Sequence, residues 1–199
     1  MDIATGATAY AAVLEALIQR GITGYGVDIE ISMFDVMADW LTVPLLNHEA
    51  GNSPKRLGMA HPSIAPYGVF KTKNDVSILI SVQSDREWKQ LADEFLQQPK
   101  LALDPRFSTN VARVENRKLT DDYVSKAFQN YTYEIAVAIL HKAGIALARV
   151  NDMEGLSQHP HLRRITVETP SGPISYPAPG VQVDNDERQY GAVPALEVG

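Results

Sequence analysis

The stretch from Glu49 to Tyr67 limits the possible folds more than any other part of this sequence. It contains Gly51, Asn52, Ser53, Pro54, Gly58, Pro62 and Pro66. Proline has no N–H to give to a helix or a sheet, and glycine loses the most backbone freedom when ordered. Regular structure does not cross such a stretch. The expected organisation is therefore two units and a linker at 51–67. The first unit spans 1–50, the second 68–170, and 171–199 is expected to return toward the first.

Before the linker, Ile3 to Gln19 is rich in Ala, the best helix former, with Ala4, Ala7, Ala9, Ala11, Ala12 and Ala16. Small residues on several faces suit a helix packed closely by neighbours. Gly21, Gly24 and Gly26 then supply a turn. Val27 to Ser32 alternates apolar and polar residues, the pattern of a half-buried strand. Ser32 reads as an N-cap, with Asp35 three residues on, for one long helix from Met33 to about His48. Helix–strand–helix is a piece of an α/β domain.

After the linker the pattern changes. Gly68–Thr72 and Val76–Val82 predict a hairpin around Lys73-Asn74-Asp75. Ser84 and Glu87 form a capping box for a helix over Asp85–Leu96. Asp104-Pro105-Arg106-Phe107 reads as a turn with an aromatic anchor. Helices are expected at Val111–Gln129 and Tyr133–Ala143, the second closed by Gly144. Short elements follow: a strand at Ile145–Val150, a helix at Asp152–Ser157, and strands at Arg164–Glu168 and Gly172–Tyr176.

Charge and composition exclude several classes of function. The 24 acidic and 18 basic residues give a net charge of −6 with no basic cluster, so no nucleic-acid partner is expected. The chain has no cysteine, which removes disulfides, thiolate zinc sites and a cysteine nucleophile. That composition fits the cytoplasm. No apolar run reaches the roughly 18 residues of a membrane span, and no basic leader is seen, so no membrane association is expected.

No local motif announces a chemistry. Gly21, Gly24 and Gly26 are not spaced as a phosphate-cradling loop and follow a helix rather than a strand. The nucleophile elbow GxSxG is absent. His159-Pro160-His161 has no third ligand at a usual spacing, so no metal is expected there.

Several segments taken in order resemble the family III CoA-transferases (CaiB/BaiF). Asp2-Ile3-Ala4-Thr5-Gly6 leads into Ala11-Ala12-Val13-Leu14-Glu15-Ala16-Leu17, like the family's Asp-small-small-Gly stretch and the helix after it. Arg20 to Asp35 (RGITGYGVDIEISMFD) is similar to the family's "R..TG.Gq.vdvSl.d" signature. Pro66-Tyr67-Gly68-Val69-Phe70, Trp88, Leu101 to Arg117 (LALDPRFSTNVARVENR), Gly144 to Asp152 and His159-Pro160-His161-Leu162 follow in the family's sequence.

The resemblance implies an α/β fold: part of a Rossmann-like CoA-binding large domain plus a smaller α+β domain, in an interlocked homodimer. It implies that the chain is the C-terminal half of such an enzyme, cut at both ends. Asp2 falls at the position of the catalytic carboxylate, and its own sequence signal is no more than that of a helix cap. Met33 matches a residue near the pantetheine arm of CoA. Gly58 to Ala65 lies where formyl-CoA transferases carry a glycine-rich loop. Here His61-Pro62-Ser63 replaces the glycines, which implies an acid bulkier than oxalate or formate, contacted by His61 or Ser63. Coenzyme A would be a substrate, with no tightly bound cofactor. The Met33-to-Pro66 stretch is most similar to the branch acting on C4–C5 dicarboxylates such as succinate, mesaconate, itaconate or citramalate. Two alternatives stand: an α-methylacyl-CoA racemase, and an inactive fragment or assembly module of such an enzyme.

Overall fold

A computed structural model describes residues 1–183 and 190–195, so part of the expected return segment lies outside the described residues. The chain is mixed α/β and divides into two compact units, Met1–Ile64 and Ala65–Gly199.

The first unit is helical. Helix α1 (Asp2–Thr23) ends on Gly24, whose φ of 78° lets its N–H return to the Arg20 carbonyl at 2.8 Å. Val27 to Ser32 forms no ladder with any described strand, so the strand expected from its alternation is not made. Alternation licenses a strand only where a neighbour takes up its N–H and C=O groups. The expected long helix is two: α2 (Met33–Trp40) and α3 (Thr42–Glu49), parted at Leu41. Pro44 is the physical reason, because it has no N–H for the Trp40 carbonyl. Only Ala4 and Val36 are buried among the apolar side chains of this unit, while Ile3 is 90% and Phe34 78% exposed.

The second unit has a true core. Strands β1 (Tyr67–Lys71), β2 (Ser77–Ser81) and β3 (Ala146–Arg149) form an antiparallel sheet with β2 central. Register pairs Gly68 with Ile80 and Ile78 with Arg149. Ile78 and Ile80 alternate with part-exposed neighbours and point into the core. Helix α4 (Asp85–Gln90) starts as its sequence requires: Ser84 Oγ accepts from the Glu87 N–H at 3.2 Å. It runs on into a wider turn at Leu91–Phe95, which buries Leu91, Ala92 and Phe95. Helices α5 (Asn110–Glu115), α6 (Arg117–Phe128) and α7 (Tyr133–Lys142) follow. Short α8 (Met153–Ser157) and the hairpin β4 (Arg164–Val167) with β5 (Ile174–Pro177) complete the unit. An aromatic stack sits at the centre: Phe70 lies 5.4 Å from Phe128 with nearly parallel rings, and Phe95 lies 4.6 Å from Phe128.

The Asp104 turn closes on itself. Its carboxylate accepts from the Arg106 backbone N–H at 2.9 Å and from the Arg106 guanidinium at 2.6 Å, while Phe107 is fully buried. The Arg106 side chain, then its backbone, lowers the Asp104 pKa from 3.8 to about 2.

Two outcomes follow from this packing. Phe128→Ala, which empties the middle of the stack, should cost about 3–5 kcal/mol. Urea unfolding followed by Trp88 fluorescence measures it, and a cost under about 1 kcal/mol would show that the stack is not the core. Asp104 has a lowered folded-state pKa, so its contribution is present above the usual carboxylate value and lost as pH falls toward about 2. The gap in Tm between the native chain and Asp104→Asn should therefore narrow on going from pH 5 to pH 2; a constant gap would contradict the pairing.

Candidate functional site

All four residues singled out in the sequence lie in the first unit. Asp2 is the first residue of α1, while Met1 takes the cap position without a side-chain bond. Asp2 is thus inside the helix, where the unpaired N–H groups of the first turn and the helix dipole favour an anion. The side chain is exposed. Carboxylates are among the side chains that can act as nucleophiles toward acyl groups.

Met33 is the first residue of α2. Ser32 holds that end of the helix by accepting from the Asp35 N–H at 3.2 Å. The Met33 side chain is 40% exposed. A thioether offers no strong hydrogen bond, so its use is adaptable apolar contact with a flexible chain.

The segment between Leu57 and Ile64 turns twice. Leu57 carbonyl accepts from the Ala60 N–H at 3.1 Å, and Gly58 takes a φ of 61° that glycine adopts without strain. His61 Nδ1 then accepts from the Ser63 N–H at 3.2 Å and lies 3.4 Å from Ser63 Oγ. A neutral imidazole accepting at Nδ1 carries its proton on Nε2. The turn thus holds an imidazole and a hydroxyl at neighbouring positions. His61 is half-buried and Ser63 exposed.

Geometry joins His61 directly to Ser63. Asp2 and Met33 head two helices, α1 and α2, that pack on each other. A groove of about 530 Å³ runs along α1, lined by Ala11, Leu14, Ile18 and Ile22. A separate cleft of about 780 Å³ in the second unit, beside Tyr133, Arg149 and Asp152, is lined by none of the four. Among the described residues no three His, Asp, Glu or Cys side chains are placed to share a metal ion, and no helix is long and apolar enough to cross a membrane.

Sequence reasoning passed over Asn110 and Arg113. They hold the main chain of Ala65, two residues after Ser63. The signal was an Asn and an Arg three apart on a short helix, which names a shared face but not what that face grips.

The family described as CoA-transferase family III matches residues 1–197. The acetyl-CoA:oxalate CoA-transferase of Acetobacter aceti is 29% identical over 98% of this chain and 51% of its own length. The human succinyl-CoA:glutarate CoA-transferase is 29% identical over 98% of this chain and 45% of its own. The crystal structure of a CAIB/BAIF family protein from Brucella suis superposes with a TM-score of 0.70 at 30% identity, covering 91% of this chain and 48% of that one. The chain spans about half the length of these relatives.

The His61 turn has a direct test. In His61→Ala the Ser63 N–H loses its acceptor, a bond worth about 1 kcal/mol, so its amide hydrogen should exchange roughly fivefold faster. An unchanged exchange rate would mean that the imidazole does not hold the turn.

Proposed function

The chain belongs to CoA-transferase family III, and on that premise we propose that it carries the nucleophile and the acid-binding loop of an enzyme that moves CoA between carboxylic acids. The supporting observation is the exposed carboxylate of Asp2 on the first turn of α1. One Asp2 oxygen adds to the carbonyl of the acyl-CoA thioester. The C–S bond breaks, CoA leaves as a thiolate, and an acyl–aspartyl anhydride remains. The thiolate attacks the Asp2 carbonyl carbon and expels the first acid as a carboxylate, which leaves an aspartyl-CoA thioester. The acceptor carboxylate repeats the two steps in reverse order and restores Asp2. The anionic tetrahedral intermediates need N–H donors nearby.

Met33 lines the path of the pantetheine arm in this reading, and the imidazole N–H of His61 and the hydroxyl of Ser63 receive a carboxylate of the acid. The oxalate and glutarate enzymes are equally similar to this chain, at 29% each, so the choice of acid rests on the loop. His61-Pro62-Ser63 offers a second anchoring point, which fits a C4–C5 dicarboxylate such as succinate, mesaconate, itaconate or citramalate. The apolar surface of the first unit fits a large CoA-binding domain that further polypeptide completes. In this reading the enzyme is a cytosolic homodimer.

Trapping separates transfer from racemisation at the same carboxylate. With the complete enzyme, acyl-CoA and hydroxylamine should leave a hydroxamate on Asp2, and Asp2→Ala should lose at least about a thousandfold in kcat. Deuterium entering the acyl-CoA at Cα, with no hydroxamate, would replace transfer by racemisation. This chain alone should bind CoA weakly and gain affinity when the remaining polypeptide is supplied. Full CoA affinity of the isolated chain would sink the view that its pocket is shared.

A further inference from the structure

The second unit holds a cleft of about 780 Å³ between the β1–β2 turn, the start of α7, the end of β3 and α8. Hydrogen bonds tie its walls to one another. The Lys73 N–H donates to the Tyr131 carbonyl at 2.9 Å, and Asn74 Oδ1 accepts from the Tyr133 N–H at 3.0 Å, which fixes the turn to α7. The Val150 N–H donates to the Ser77 carbonyl at 3.1 Å and continues the β2–β3 pairing past Arg149. Asp152 Oδ1 then caps α8 by accepting from the Gly155 N–H at 2.8 Å. Asn151 lies so close to Gly155 that a Cβ there would meet its side chain at 3.0 Å, so glycine lets Asn151 lie back against the helix. A preformed cleft of this volume suits a small organic ligand.

The lining carries charge of both signs. The Arg149 guanidinium carbon lies 5.6 Å from the Tyr133 ring centre, and among the described residues nothing accepts a hydrogen bond from it. An aromatic ring engages the face of a guanidinium and leaves its edge, a planar fork of donors, for a carboxylate. Three carboxylates, Asp75, Asp152 and Glu154, share the lining. Asp75 is paired with Lys71 at 2.8 Å. Asp152 and Glu154 each spend one oxygen locally, on the Gly155 N–H and the Gln158 amide, and no described residue bonds to the other oxygen. His159 accepts from the His161 N–H at Nδ1, as a neutral imidazole does. A simple anion on Arg149 would meet the carboxylates, and a simple cation beside them would meet the guanidinium. One molecule bearing both charges avoids both repulsions.

We propose that this cleft binds a zwitterionic α-amino acid with an apolar side chain. Its carboxylate takes the fork of Arg149, its ammonium group takes Asp152 and Glu154, and its side chain lies against Tyr133, Val76 and Val150. Arg149 and Asp152 are three residues apart, so their backbones are within about 11 Å, a gap that the two side chains and one small molecule close. The site belongs wholly to the second unit and uses none of Asp2, Met33, His61 or Ser63, so it does not depend on the transfer reaction.

Three ligands test it on the full chain: L-phenylalanine, 3-phenylpropanoate, which lacks the ammonium group, and 2-phenylethylamine, which lacks the carboxylate. In amide NMR titrations at neutral pH, L-phenylalanine should shift Ser77, Asn151 and Gly155, and each analogue should bind about tenfold more weakly or worse. Arg149 is exposed on an edge strand, so Arg149→Gln leaves the fold intact. It should weaken L-phenylalanine about tenfold and make it bind like 2-phenylethylamine. Asp152→Asn keeps an oxygen for the Gly155 N–H, and with it the cap, and should weaken L-phenylalanine with Tm unchanged. Equal affinity for L-phenylalanine and 3-phenylpropanoate would make this a plain anion site and overturn the proposal. Equal affinity for L-phenylalanine and 2-phenylethylamine in the native chain would leave Arg149 without a role and overturn it too. Shifts confined to residues outside the cleft, or none at about 10 mM ligand, would do the same.

Discussion

The second unit is organised around one buried guanidinium. Arg113 links the chain entry at Ala65, the turn at Phe107, the first residue of α4 at Asp85 and the face of Trp88. Burying a charge costs several kcal/mol unless it is paired and hydrogen-bonded. Here the cost is offset by three directed bonds and an aromatic face. Burial pulls the Arg113 pKa down, and the Asp85 carboxylate pushes it back up. A lysine has no planar fork with which to make these bonds at once. Asp85 is in place because Ser84 starts α4 immediately before it, so a local cap in one segment sets up a long-range ion pair with another.

The two units are stabilised by different means. The second buries Phe70, Ile80, Trp88, Phe95, Phe107 and Phe128 in one cluster between sheet and helices. The first leaves Leu14, Ile18 and Ile22 open along the groove of α1, together with Ile3, Tyr10, Val13 and Leu17. Such a helix, apolar on several faces, is what a protein interior uses. Its alanine-rich sequence supplies helix propensity without needing a core of its own. The carboxylate proposed as nucleophile is therefore mounted on a helix that leaves most of its large apolar side chains exposed.

Local chemistry was legible in the sequence wherever a neighbouring residue decided the outcome. The caps at Ser32 and Ser84, the hairpin around Asn74 and the turn at Gly144 depend on partners a few residues away, and each is formed. The Asp104 turn was readable for the same reason. Val27 to Ser32 was misread because alternation specifies a strand's faces and not its neighbours. Pro44 stood in plain view, yet the apolar pattern on both sides of it suggested one helix where there are two. Asp2 has no local signature beyond its place on the first turn; the role proposed for it starts from the family resemblance. Asn110 and Arg113 could not be matched to Ala65, because nothing local to either segment encodes a contact so distant in sequence.

The central position of β2 has a consequence for how the unit is made. Its partner on one side, β1, is a hairpin turn away, but on the other side Ile78 pairs with Arg149. Contacts between distant residues close slowly, because the intervening chain must first be ordered. On a ribosome the Phe70 hairpin emerges first with one edge of β2 bare, and that edge stays unpaired until α4 to α7 and then β3 have been synthesised. An unpaired edge invites association with other chains. The turn that joins β1 to β2 carries Lys71, Lys73 and Asp75 exposed, with Lys71 paired to Asp75, so the charged groups sit at the turn and not along the bare edge.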